Sequence, residues 1–194
     1  MADNPRATSA EAGAAGPGIP GHADADRRWL GEAVELSRRC PPSRSAFSVG
    51  ALLISGTGVL IATGYSRERD PADHAEEVAL AKAAAGGSGP ALAGPAAAGE
   101  AGHAGAPGGP ASWLAGATLY SSLEPCLRRA SRPRSCAELI LAAGIRRVVV
   151  AWLEPPVFVP GGGAAWLREA GVTVAEIRGL AASARAVNAH LLAD

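Results

Sequence analysis

Cysteine is scarce in this 194-residue sequence, which contains only Cys40, Cys126 and Cys136. So low and odd a number argues against a disulfide framework and suits a reducing compartment, where thiolates remain free to bind metal. Aromatic residues make up only 4% of the chain, and 18 basic residues balance 18 acidic ones. Without a net positive field or a set of stacking side chains, the sequence does not favour binding to nucleic acid.

Long apolar segments are missing as well. No stretch approaches the ~20 apolar residues of a membrane-spanning helix, and the N-terminus lacks the charged-then-apolar layout of a secretion signal. These absences predict a cytoplasmic protein that does not bind a membrane. The length allows one domain with a substantial core.

Two segments consist largely of alanine, glycine and proline and offer little to a core. Residues 1–22 are predicted to form a disordered tail and residues 86–111 a disordered insertion, for which a lid over a binding site is the alternative. His22 and His103 fall in these segments and are therefore not expected to bind a ligand. The predicted folded domain covers residues 24–194, interrupted by the insertion.

The rest of the chain alternates between helical and strand patterns. A helix that begins at Asp24 or Asp26 is followed by a hairpin, and helices then alternate with strands up to the C-terminus. This order predicts an α/β fold with a mixed five-stranded sheet flanked by helices, in which the later strands are parallel. The predicted strands are 47–54, 59–63, 117–121, 147–152 and 172–175, and the later helices begin at His74, Ala137, Ala164 and Ala181.

A histidine, a glutamate and two cysteines have the clearest chemical meaning. His74 and Glu76 lie at the start of a helix, Cys126 follows Pro125, and nine residues separate Cys126 from Cys136. One histidine and two cysteines can bind a catalytic zinc, whose fourth position stays open for a water that the ion activates. Glu76 would then transfer protons. The alternatives are a structural zinc site, which usually has four ligands, and buried core thiols without metal.

These motifs resemble the cytidine deaminase superfamily, and within it the pyrimidine deaminase domain of riboflavin biosynthesis. The resemblance covers roughly residues 43–174, apart from the insertion, and it implies a three-layer α-β-α fold with a Zn²⁺ cofactor. It also implies that His74, Cys126 and Cys136 bind the metal and that Glu76 is catalytic. The implied reaction is the hydrolytic deamination of a cyclic amidine, here a diaminopyrimidinone ribosyl phosphate.

The resemblance also implies partners and leaves alternatives open. Superfamily members commonly form homodimers or homotetramers and act on small molecules, which in this branch are phosphorylated. The reductase domain that often follows this deaminase is not expected, because the chain ends at Asp194. A deaminase of another base or nucleotide, of the cytosine or cytidylate type, is one alternative. A non-catalytic scaffold stabilised by zinc is another, although it would have no need of Glu76.

Five residues are predicted to contact the substrate, and they are Phe47, Val49, Gly50, Arg128 and Arg132. Val49 and Gly50 match the strand that floors the pocket in the family. Arg132 falls where the riboflavin branch has an arginine shortly before the second cysteine. Because Arg128 and Arg132 lie in the loop between the two cysteines, their guanidinium groups are placed to bind a phosphate; a solvated surface is the alternative.

The sequence departs from the family pattern at three places around the expected pocket. Residues 45–47 read Ser-Ala-Phe where the family usually has Pro-Asn-Pro, and residues 154–157 read Glu-Pro-Pro-Val in place of Asp-Pro-Asn-Pro. Arg128 stands where a histidine usually follows the first cysteine by two positions. The predicted metal ligands are thus complete, while the residues expected to contact the base have changed.

Overall fold

In the computed structural model of the chain, the described residues are 22–86, 114, 116–155, 157 and 161–192. The predicted tail before His22 and the predicted insertion beyond Gly86, with His103, lie outside them. Among the described residues, no helix is both long enough and apolar enough to cross a membrane.

The described strands form one five-stranded sheet. In chain order they are β1 (Gly50–Ile54), β2 (Leu60–Tyr65), β3 (Thr118–Ser121), β4 (Arg147–Val150) and β5 (Thr173–Glu176). Their order across the sheet is β2-β1-β3-β4-β5. β1 is antiparallel to β2 and to β3, whereas β3, β4 and β5 are parallel to one another. The predicted mixed sheet with parallel later strands is confirmed.

Helices cover both faces of the sheet and complete three layers. They are α1 (His22–Ser37), α2 (Ala75–Ala84), α3 (Cys136–Ala142), α4 (Gly163–Glu169) and α5 (Ala181–Val187). Gly50 and Gly64 permit this close packing: a Cβ at Gly50 would lie 2.2 Å from the carbonyl oxygen of Ala33 in α1, and one at Gly64 would lie 2.3 Å from that of Ala75 in α2. Because neighbouring ladder positions point to opposite faces, α1 and α2 pack on opposite sides.

The strand directions bring several loops to one edge of the sheet. Gly50, at the start of β1, pairs with Tyr65 at the end of β2, while Ala51 pairs with Ser121 at the end of β3. Ser121 in turn pairs with Val150 at the end of β4. The segment before β1 and the segments after β2, β3 and β4 therefore meet at this edge, which is where the candidate site lies.

Several boundaries differ from the sequence prediction. The first helix begins at His22 rather than at Asp24 or Asp26, because Asp26 is not a cap but a buried residue bonded to the sheet. The first strand begins at Gly50 instead of residue 47. The last helix stops at Val187 and is followed by a 3-10 turn, Ala189–Leu191.

Candidate metal centre

His74, Cys126 and Cys136 converge on one point. Their ligand atoms all lie within 4.8 Å of one another. The Nδ1 atom of His74 is 3.5 Å from the sulfur of Cys126 and 3.4 Å from that of Cys136. In a tetrahedral zinc site, the usual Zn–N and Zn–S bond lengths place such atoms about 3.6 Å apart. The donor types and the spacing therefore fit a zinc ion.

Local hydrogen bonds position Cys136 at the start of α3. Ser135 and Glu138 form a capping box, in which the Ser135 hydroxyl accepts from the Glu138 amide at 3.2 Å and the Glu138 carboxylate accepts from the Ser135 amide at 2.7 Å. The amide of Cys136 points to the sulfur of Cys126 at 3.4 Å. An amide directed at sulfur favours the thiolate form.

The pKa values of the two thiols are shifted in opposite directions. The pKa of Cys126 is lowered to about 4, first because Cys136 donates a hydrogen bond to it and then because His74 lies beside it. The same hydrogen bond raises the pKa of Cys136. Burial lowers the pKa of His74, but the hydrogen bond and the charge of Cys126 outweigh this effect and raise it. A divalent cation bound here would compete with these protons.

Glu76 lies beside the three ligands but is not one of them. Its side chain is almost fully buried, at 3% exposure, and it accepts a hydrogen bond from the hydroxyl of Ser121 at 2.9 Å. Burial raises the pKa of Glu76, and the negative charge of Cys126 adds to the effect. A carboxyl group with a raised pKa can both accept and return a proton near neutral pH.

A cavity of about 290 Å³ opens next to the ligands. Its lining includes His74, Glu76 and Cys126, and among the predicted substrate contacts it includes Phe47, Val49 and Arg128. The other two predicted contacts do not line it. Gly50 packs against α1, and Arg132 pairs with the carboxylates of Asp70, Asp73 and Glu77.

Sequence reasoning missed Glu124, which is buried and lines the cavity. Its carboxylate accepts hydrogen bonds from the amides of Glu154 at 2.9 Å, Gly162 at 3.3 Å and Ala164 at 2.7 Å. It thereby fixes the start of α4 and the segment that carries Glu154. Gly163 allows the start of α4 to lie against Pro125, because a Cβ at residue 163 would lie 1.8 Å from the carbonyl oxygen of Pro125. No local pattern signals these roles, since the partners are 30 to 40 residues apart.

Glu154 also lines the cavity. Among the described residues, its Oε2 atom is buried and has no hydrogen-bond partner. Burial raises the pKa of Glu154 to about 8, and the charges of Cys126 and Glu124 add to this effect. An orphaned polar atom in a cavity wall indicates a place where a polar ligand can bind.

A three-layer α/β fold with a His-Cys-Cys centre and an adjacent buried glutamate defines a zinc-dependent deaminase domain. The family model for the cytidine and deoxycytidylate deaminase zinc-binding region matches residues 23–152, and the chain belongs to this family. The predicted family, three-layer fold and zinc cofactor are confirmed.

Known relatives agree with this assignment. The chain is 35% identical over 148 residues to a diaminohydroxyphosphoribosylamino-pyrimidine deaminase from Schizosaccharomyces pombe, a match that covers 76% of this chain and 31% of that protein. The chain thus spans about a third of the length of this relative.

Solved structures show the same fold. The diaminohydroxyphosphoribosylaminopyrimidine deaminase/5-amino-6-(5-phosphoribosylamino)uracil reductase of Thermotoga maritima superposes with a TM-score of 0.62 and 25% identity, over 86% of this chain and 40% of that one. The Rib2 deaminase of Aspergillus oryzae, solved in complex with DARIPP, superposes with a TM-score of 0.59 over 87% of this chain and 97% of that one. At 19% identity, the latter match supports the fold alone.

Proposed function

We propose that this chain catalyses the hydrolytic deamination of a diaminopyrimidinone ribosyl phosphate, the type of compound for which its relatives are named. The observation that supports this most directly is Glu76, a buried carboxyl beside a His-Cys-Cys centre and at the wall of a ligand-sized cavity. A structural metal site has no use for such a group.

The residues of the site have separate roles in this proposal. His74, Cys126 and Cys136 would bind zinc, which supplies Lewis-acid activation of the attacking water at neutral pH. Glu76 accepts one proton of the attacking water and delivers it to a ring nitrogen, and it then transfers the remaining hydroxyl proton to the departing amine, so that an amine is replaced by a carbonyl and ammonia leaves. Ser121 orients Glu76 by donating a hydrogen bond to its Oε1 atom.

Glu154 and Arg128 are the groups best placed to select the substrate. Glu154 lines the cavity and carries an unpartnered oxygen, to which the polar edge of an aminopyrimidine would bind. Arg128 is exposed and lines the same cavity. Within the described part of the chain, no carboxylate pairs with Arg128, whereas Arg129 and Arg132 both pair with Glu77. Arg128 thus remains available for a phosphate.

The experiment that tests this proposal measures ammonia release by the zinc-loaded protein from four compounds. They are the riboflavin precursor, cytosine, cytidine and deoxycytidylate. We expect release from the phosphorylated precursor, and its loss in Glu76→Gln. Glu32→Gln is the matched control, because it removes an exposed carboxylate from α1, outside the cavity lining, and it should retain turnover.

The other outcomes change the proposal in defined ways. Release from a cytosine-type compound alone would retain the mechanism and replace the substrate. No release from any compound by protein with one zinc per chain would refute catalysis and favour a scaffold. A homodimer or homotetramer is part of the same proposal, and light scattering after size-exclusion chromatography tests it.

A further inference from the structure

One wall of the cavity comes from a segment without regular secondary structure. Ser45, Ala46 and Phe47 line the cavity, and β1 begins only at Gly50. None of these three residues is proline, so ring constraints do not fix the backbone here. Contacts from residues outside 41–48 must therefore fix the conformation of Ser45, Ala46 and Phe47 if this wall of the cavity is to present a constant shape to a ligand.

Arg67 lies in the loop that precedes His74, and it binds this segment. Its Nε and Nη2 atoms donate to the carbonyl oxygen of Pro41 at 3.0 and 2.8 Å. Its Nη1 atom donates to the carbonyl oxygen of Phe47 at 3.0 Å, and Nη2 also reaches the hydroxyl of Ser48 at 2.9 Å. The guanidinium group thus crosses the segment and binds both of its ends.

The backbone of Arg67 is in an unusual conformation. Its φ angle is 61°, and among the described residues it is the one non-glycine residue with a positive φ. A hydrogen bond from its amide to the carbonyl oxygen of Asp73, at 2.9 Å, fixes this turn, and His74 follows directly. Such strain persists where the surrounding structure requires it, and it often marks a functional constraint.

Asn188 binds the same segment at Ser48. Its side chain is 2% exposed. Its Oδ1 atom accepts from the amide of Ser48 at 2.7 Å, and its Nδ2 atom donates to the carbonyl oxygen of Ser48 at 3.0 Å. The amide therefore satisfies both backbone groups of Ser48, much as a neighbouring strand would. Asn188, which follows α5, in this way holds the residue next to Phe47 in the cavity wall.

We propose that Arg67 and Asn188 are positioning residues that hold residues 45–47 in place as the substrate-facing wall of the cavity. The expected effect of these residues on catalysis rests on the proposed deamination, whereas their positioning of residues 45–47 does not depend on any substrate. Phe47 links the wall to the rest of the site, because its ring packs edge-on against Trp152 with 5.6 Å between ring centroids.

Arg67→Gly and Asn188→Ala test the two contacts separately. Glycine adopts a positive φ without strain, so Arg67→Gly removes the guanidinium group and leaves the turn intact. Arg168→Ala is the matched control, because Arg168 also donates from Nε and Nη2 to one backbone carbonyl, that of Val174, and it does not line the cavity.

The first measurement needs no substrate. Hydrogen exchange should accelerate by about tenfold or more at the Ser48 amide and across residues 43–48 in both variants, with one zinc still bound per chain. Unchanged exchange in these residues would overturn the proposal. Acceleration throughout the chain with loss of zinc would also overturn it, because the residues would then support the whole fold.

The second measurement is a kinetic one. KM should rise by about tenfold in each variant while kcat stays within about threefold, since the wall contributes to substrate binding rather than to proton transfer. The double variant should raise KM by less than the product of the single effects, because both residues act on one segment. Added methylguanidinium should partly reverse the increase in KM of Arg67→Gly.

If kcat falls with an unchanged KM, the positioning role is wrong. If the parent protein deaminates nothing, the proposed function fails and exchange alone decides the inference.

Discussion

Asp26→Asn should destabilise the fold, because Asp26 joins α1 to the centre of the sheet. Its Oδ1 atom accepts from the hydroxyl of Tyr120 at 2.8 Å and from Arg147 at 2.9 Å, and its Oδ2 atom accepts from Arg147 at 2.6 Å. Tyr120 lies in β3 and Arg147 in β4. The asparagine retains the shape of the side chain but loses the charge and one of the two acceptor atoms that Arg147 uses.

The expected cost follows from the burial of the pair. Removing one partner of a fully buried ion pair costs about 3–5 kcal/mol. Here the side chain of Asp26 is 11% exposed and that of Arg147 is 28% exposed, so water compensates part of the loss. We therefore expect a loss of about 2 kcal/mol in the free energy of unfolding. For a domain of this size, that corresponds to a Tm lower by about 4–8 °C.

Thermal unfolding followed by circular dichroism at several pH values measures both the size and the origin of the effect. Burial by itself raises the pKa of Asp26, but hydrogen bonds from Arg147 and Tyr120 outweigh it and lower the pKa. Stability from the carboxylate is therefore fully present above the unfolded pKa of about 3.9 and is lost as pH falls through the lower folded value. The difference between parent and Asp26→Asn should shrink below pH 4.

Asp24→Asn is the matched control for this prediction. Asp24 is an exposed acid in the first turn of the same helix, so its substitution should change stability by less than about 0.5 kcal/mol. Equal Tm values for Asp26→Asn and the parent at pH 7, or a difference that does not depend on pH, would refute the reasoning.

Three further predictions concern the site. Gly163→Ala should destabilise the protein by about 1–3 kcal/mol and lower its zinc content, because the new Cβ would lie 1.8 Å from the carbonyl oxygen of Pro125; calorimetry and metal analysis check both. Cys136→Ser should weaken zinc binding by more than about 100-fold in a competition assay with a chromophoric chelator, whereas Cys40→Ser should not. Since the pKa of Glu154 is raised to about 8, its carboxyl is largely protonated at pH 7, so Glu154→Gln should preserve KM there while Glu154→Ala raises it about tenfold.

The sequence predicted those parts of the structure that depend on local patterns. His74 and Glu76 stand two residues apart at one helix start, and the hydrophobic run at 148–151 indicates a buried parallel strand without reference to any partner. The metal ligands were predicted from residue type and spacing together with the family resemblance, because His74 lies 52 positions before Cys126 and 62 before Cys136. The predictions for the helix start and the strand depend on short-range geometry, which a single sequence displays directly.

Contacts between distant residues were the part that sequence reasoning did not reach. The residues around Asp26 indicate a helix cap at this position, yet Asp26 pairs with Arg147, 121 positions later. Asn188 is 140 residues from the Ser48 backbone that it binds. Polar side chains in helices and loops have many possible partners, and hydrophobic periodicity does not select among them. The roles of such residues become visible only when the sheet order is known.

The metal ligands and the cavity wall are fixed by largely separate contacts. Ser135 positions Cys136 through its capping box, whereas Arg67 and Asn188 position the wall. Residues 66–73 are common to both, because Arg67 binds the wall while its amide is bonded to Asp73, the residue before His74. Substitutions at Ser135 should therefore affect metal binding first, and those at Asn188 substrate binding first. Changes within residues 66–73 should affect both, which makes this loop a structural link between the metal centre and substrate selection.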